Sequence, residues 1–160
     1  MNNKLFLVCP FSFMENFIRQ KYGDDVFFMT AMATVMHFER EEISAIKLFI
    51  EREKVQEIII TSDTSCRFIN GALKCEKEFG SYAETQIKNI VLENEDALAK
   101  TNSEEEKQKI IANSIVKNQA QEIRSSNLFL SEIFKSKIII KGIITTKSNN
   151  EIIELNFNSN

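Results

Sequence analysis

Three residues in this chain have the types and spacing for metal or thiol chemistry: Cys9, Asp63 and Cys66. Cys9 lies in Val8-Cys9-Pro10-Phe11-Ser12-Phe13, directly after an apolar run, and Cys66 closes Ile60-Thr61-Ser62-Asp63-Thr64-Ser65-Cys66, which follows a second run. If both runs are parallel strands of an α/β sheet, their C-terminal ends open onto one crevice, where ligands of such sheets bind. Two thiolates and a carboxylate plus water would make a four-coordinate zinc site. The same residues also have plainer uses. Buried cysteines are common in cores, and an aspartate after a strand is a frequent helix N-cap or a partner for a nearby arginine, here Arg67. His37 is the single histidine, and Cys75 is the third cysteine. His37 reads as a surface or satisfied core residue, and Cys75 as structural.

The elements that must position these residues follow from apolar patterning. Residues 5–9 form a continuous apolar run, the mark of a strand buried on both faces. Ser12 and Glu15 have capping-box spacing, so a helix is expected to start there and run to Tyr22, before Gly23. Residues 26–32 give a second strand, 39–54 an amphipathic helix through Ile43, Ile46 and Ile50, and 57–61 a third strand. Strand and helix alternation of this kind builds a parallel sheet with helical crossovers. Beyond Cys66 the chain is expected to be helical to about Cys75, again over 82–100, and from Ser103 through Ile123, with Glu104, Glu105 and Glu106 at a positive helix end. A short helix is expected near 128–134. A fourth strand over 137–145 and a fifth over 152–157 form an antiparallel hairpin around Ser148-Asn149-Asn150.

Bulk composition sets the class. The 160 residues fit one domain, 1–160, with a core of ordinary size. Twenty basic residues against 23 acidic ones give a net charge of −3, and no basic stripe interleaved with aromatics marks a nucleic-acid surface. No segment reaches the roughly 20 apolar residues of a membrane helix, and the run 5–8 is expected to be a buried strand and not a leader. An odd number of cysteines argues for a reducing cytoplasm over a disulfide framework. A Rossmann reading fails for want of a Gly-x-Gly-x-x-Gly after the first strand, and a Cys-His or Ser-His-Asp nucleophile would have to rely on His37 alone.

The order of these motifs resembles the β-class carbonic anhydrases. Residues 9–13 fall on that family's Cys-x-Asp-x-Arg, 30–34 on its Arg-Asn-Ala-Gly-Asn, and Ser62 to Arg67 on its Gly-His-x-x-Cys-Gly. Val116, Gln119 and Ile123 match its late helix, and the closing hairpin matches as well. The resemblance implies an α/β fold with a central, mostly parallel sheet of about five strands. Helices lie on both faces and the last strand is antiparallel. It also implies zinc as the cofactor, held at Cys9, Asp63 and Cys66, and a homodimer, here expected without the N-terminal arm of many relatives. Asp63 stands where the family has histidine, Phe11 and Phe13 stand where its acid–base Asp and Arg stand, and Arg67 replaces a glycine. Phe11, Phe13, Thr30 and Arg67 would line the pocket.

Hydration of carbon dioxide needs zinc to bring the pKa of bound water from about 16 to about 7. A Cys-Asp-Cys set carries three negative charges against two on the metal, which works against that acidity, and phenyl rings accept no proton. The expectation is therefore a carbonic anhydrase-like protein without hydration activity, in a binding or structural role, with zinc absent or weakly bound. The alternative is a zinc lyase or hydrolase acting on carbon dioxide or a related molecule such as carbonyl sulfide. A small apolar ligand between Phe11 and Phe13 is a third possibility.

Overall fold

A computed structural model describes residues 2–127 and 137–157. The helix expected near 128–134 lies outside the described residues. Five strands, β1 (Asn3–Val8), β2 (Val26–Thr30), β3 (Val55–Asp63), β4 (Ile139–Thr146) and β5 (Glu151–Asn156), make one sheet in the order β2-β1-β3-β4-β5. The first four run parallel, and β5 returns antiparallel to β4. The hairpin turns through a 3-10 turn at Lys147–Asn149, and Asn150 takes the left-handed conformation at φ 56°, which asparagine tolerates better than most residues.

Two layers of helix cover the sheet. Helix α1 (Glu15–Tyr22) joins β1 to β2 and buries Ile18 with Met14 against Phe6, Val8, Ile59 and Ile143. Helices α2 (Arg40–Arg52), α3 (Arg67–Leu73), α4 (Tyr82–Glu93) and α6 (Glu104–Ser125) supply the larger core on the other face, with Leu5, Leu7, Ile58, Ile60, Ile140 and Ile144. The short α5 (Glu95–Ala99) continues from α4 after a break at Asn94. That break divides the single helix expected over 82–100: the Asn94 side-chain amide donates to the Ile90 carbonyl at 2.7 Å, taking up an acceptor at the helix end. From β1 the chain crosses by α1 to β2 on one side, then by α2 to β3 on the other. Strand order reverses between β1 and β3, and the crevice at such a reversal is the usual ligand site of open α/β sheets.

Local details depart from expectation at two places that matter for the site. The Ser12–Glu15 capping box is absent, because Pro10 opens a 3-10 turn (Pro10–Ser12) and the Ser12 hydroxyl donates back to the Cys9 carbonyl at 2.6 Å. Met14 takes the N-cap position of α1 instead. A true capping box forms later, between Ser81 and Glu84 at the start of α4. The other departure is β3, which continues past Thr61 to Asp63 because Ser62 and Asp63 still pair with Ile144 and Thr145 of β4.

One contact fixes how α6 sits on the sheet. A Cβ on Gly142 of β4 would lie 2.1 Å from Val116 Cγ1 and 2.8 Å from Phe157 Cε2. Both neighbours are apolar side chains packed on the sheet, so this approach requires glycine. Gly142→Ala is expected to lower stability by about 1–3 kcal/mol through overpacking, read as a shift of the urea midpoint. Adding Val116→Ala should recover part of the loss.

Candidate functional site

Cys9 and Cys66 meet at the reversal between β1 and β3. Cys9 follows β1 directly. Leu7 pairs with Ile60, so Cys9 stands level with the end of β3. Cys66 is brought back over that end by a tight turn in which its amide donates to the Asp63 carbonyl at 3.0 Å, and it is the N-cap residue of α3. Both cysteines are buried in the larger core, 4% and 6% exposed, and both are free thiols. The third wall is the 3-10 turn Met32–Thr34 after β2, where the expected strand over 26–32 has already ended. The Ala33 amide donates to Cys9 Sγ at 3.2 Å, and the Thr34 hydroxyl donates to the Thr61 carbonyl at 2.7 Å. Ala33 holds φ 53°, a conformation that costs a non-glycine residue about 1–2 kcal/mol. It falls on the glycine of the Arg-Asn-Ala-Gly-Asn pattern, the residue type that takes this conformation without that cost.

The two thiols shift each other in opposite directions. The Cys66 thiol hydrogen bond holds Cys9 down to about 6 from 9.0; burial opposes this, and the amides of Ala33, Phe11 and Ser12 add to it. For Cys66, the bond to Cys9 and then burial push the thiol up. The proton of the pair therefore rests preferentially on Cys66.

Asp63 is not aimed at this pair. Side chains alternate faces along a strand, and Asp63 shares its parity with Thr61 and Ile59, the latter packed under α1. Its carboxylate is buried, 3% exposed. Oδ1 accepts from the Ser65 amide at 2.9 Å and from the Ser65 hydroxyl, and Oδ2 accepts from the Thr145 hydroxyl at 2.6 Å and the Lys147 amide at 3.1 Å. Thr145 also touches Met14 Sδ at 3.9 Å, which confirms the α1 side of the sheet. Both oxygens are thus committed to the turn after β3 and the end of β4. Among the described residues no group of three or more His, Cys, Asp or Glu side chains stands together for a metal.

The Asp63–Arg67 pair expected from sequence does not form. Arg67 points outward to Glu78, with Nη2 at 2.6 Å from Oε2, and its guanidinium lies 5.1 Å from the Phe11 ring centre and 5.8 Å from that of Phe79. Phe11 is half-buried and packs edge-on against Phe68 at 5.4 Å. Phe13, in contrast, is 73% exposed and left-handed at φ 52°, and Thr30 is exposed. Of the four expected pocket residues, only Phe11 and Arg67 come together. Arg67 lines a cavity of about 250 Å³ with Phe68, Cys75, Glu78, Lys88 and Leu92. His37 is remote in role: its Nδ1 lies 3.0 Å from Glu39, and its ring packs edge-on against Tyr82.

Several contributors carry no signal that the sequence reading used. Glu84 accepts from the amides of Glu78, Phe79 and Ser81 at 2.6, 3.2 and 2.7 Å, and so fixes the segment that presents Glu78 and Phe79 to Arg67. Its Ser-x-x-Glu spacing was readable. Gln119 reaches from α6 to accept from the Met36 amide at 2.9 Å, tying down the segment after the Ala33 turn. The backbone amides on Cys9 have no sequence signature.

In a Cys75→Ser background, thiolate absorbance at 240 nm is expected to rise with a midpoint near pH 6, close to the value of about 6 set by the Cys66 contact. Cys66→Ala should move that midpoint up toward 9.0, the ordinary thiol value. An unshifted midpoint would remove the Cys66 thiol as the main cause.

Comparison with known proteins places this geometry. The carbonic anhydrase family model matches residues 7–152. A β-carbonic anhydrase of Sordaria macrospora, described as tetrameric, is 19% identical at a TM-score of 0.81, covering 96% of this chain and 80% of the other. CafA of Aspergillus fumigatus is 18% identical at the same TM-score of 0.81, covering 96% and 75%. CafD of that fungus is 15% identical at 0.80, covering 97% and 90%. A search of curated protein sequences gives no match. The family match runs over nearly the whole chain, on a five-stranded sheet of this order, and the chain belongs to the β-class carbonic anhydrase family.

Proposed function

We propose that this chain is a carbonic anhydrase-fold protein that does not hydrate carbon dioxide and serves as a binding or structural protein. One observation carries the reading: the Asp63 carboxylate is turned to the α1 face and saturated by Ser65, Thr145 and Lys147, while Cys9 and Cys66 meet on the other face. A catalytic zinc takes three protein donors and leaves one position for water. Two sulfurs without a third donor do not fit that demand, so zinc is absent or weakly held, and no hydration step runs through this site.

The surroundings agree in chemistry. Phe11 offers no group to accept a proton or orient a hydroxide, and Phe13 faces solvent. Arg67 is engaged by Glu78 and two rings. What remains at the reversal point is a pair of buried sulfurs, with an aromatic and guanidinium surface of Phe11, Phe79 and Arg67 outside them. Such a surface suits recognition better than hydrolysis. A homodimer in the cytoplasm completes the proposal: the odd number of cysteines suits a reducing compartment, and the Sordaria relatives, described as tetrameric, are likewise assemblies of several subunits.

Stopped-flow hydration of carbon dioxide with a pH indicator tests the proposal. The expected rate equals the buffer background, with or without added zinc. A rate well above background that a chelator abolishes would overturn it and establish the zinc lyase instead.

A further inference from the structure

We propose that Cys9 and Cys66 form a reversible dithiol–disulfide pair that responds to peroxide. The inference rests on the reading above that no zinc occupies the two sulfurs. The geometry points to it in three ways. Cys9 stands level with the end of β3 by the Leu7–Ile60 pairing, Cys66 is turned back over that end as the N-cap residue of α3, and both lie in one buried cluster. Tight turns hold both: the Ser12 amide donates to the Cys9 carbonyl at 3.0 Å, and the Cys66 amide donates to the Asp63 carbonyl at 3.0 Å. The pair is closed to large reagents, at 4% and 6% exposure. That closure favours an oxidant near the size of water and disfavours a peptide disulfide, since exchange depends on access to the attacked sulfur.

The chemistry balances with hydrogen peroxide as the oxidant. Cys9 Sγ, which takes the Ala33 amide proton contact at 3.2 Å, attacks one peroxide oxygen. The O–O bond breaks, Cys9 becomes a sulfenic acid, and the departing hydroxide takes up a proton to leave as water. Cys66 Sγ then attacks the Cys9 sulfur. The S–S bond forms, the S–O bond breaks, and the Cys66 proton leaves with that oxygen as a second water. A dithiol reductant returns both thiols by exchange through a mixed disulfide. Oxidation would lock the end of β1 to the start of α3, across the mouth of the crevice where Phe11 and Phe68 meet.

The test uses the full chain with Cys75→Ser, which removes the exposed thiol. After equimolar peroxide, the protein is denatured, alkylated and digested. The expected result is loss of both alkylation sites, an intramolecular Cys9–Cys66 linked peptide, and full recovery with dithiothreitol. In the Cys66→Ser variant, oxidation should stop at a Cys9 sulfenic acid that dimedone traps. Two thiols that remain fully alkylatable, a link between chains, or sulfinic acid without a disulfide would overturn the inference. Zinc content is measured on the same sample. Stoichiometric zinc with disulfide formation only after chelation would overturn the metal-free reading and still support the dithiol.

Discussion

Strand alternation in β3 is the constraint on which the site depends. Ile58 and Ile60 face the large helical layer, and Ile59 faces α1. Because the strand stays paired with β4 through Asp63, the same alternation sends the Asp63 side chain to the α1 face. There Thr145 and Lys147 of the neighbouring chain segment and Ser65 of its own turn take all of its acceptor capacity. A buried carboxylate needs such partners, since leaving one unpaired costs several kcal/mol. Drawing Asp63 toward the cysteines would orphan those donors and break the end of the β3–β4 ladder.

With the carboxylate fixed elsewhere, the reversal between β1 and β3 becomes a two-sulfur site. Its walls are mostly backbone. The Ala33 turn supplies an amide to Cys9 at the cost of a left-handed alanine, and the Gln119 contact to Met36 steadies the following segment from α6. Outside it, Glu84 fixes the segment bearing Glu78 and Phe79, which with Phe11 surround Arg67. Arg67 and Glu78 thus pair with each other outside the two buried cysteines.

The architecture was legible because its signals are local and repeated. Continuous apolar runs marked β1, β2, β3 and the closing hairpin, and the spacing of Ile46 and Ile50 or of Ile111, Ile115 and Ile123 marked helices that do bury those residues. Cys9 and Cys66 were legible as neighbours because parallel strands share an end. Asp63 was misplaced for one reason. The strand expected from the apolar run ends at Thr61, so the sequence shows nothing of the pairing of Ser62 and Asp63 with Ile144 and Thr145 that fixes its direction. Asp63 is the carboxylate nearest to Arg67 in sequence, whereas Glu78 reaches it through the fold. The Ser12–Glu15 spacing looked like a cap, but Pro10 had committed the chain to a different turn.

The most direct measurement is anomalous diffraction at the zinc edge from crystals soaked in zinc. The account predicts no peak bound by Cys9, Asp63 and Cys66 together, with the Asp63 carboxylate still on Thr145 and Lys147. A peak about 2.3 Å from both sulfurs and about 2.0–2.2 Å from an Asp63 oxygen would contradict it.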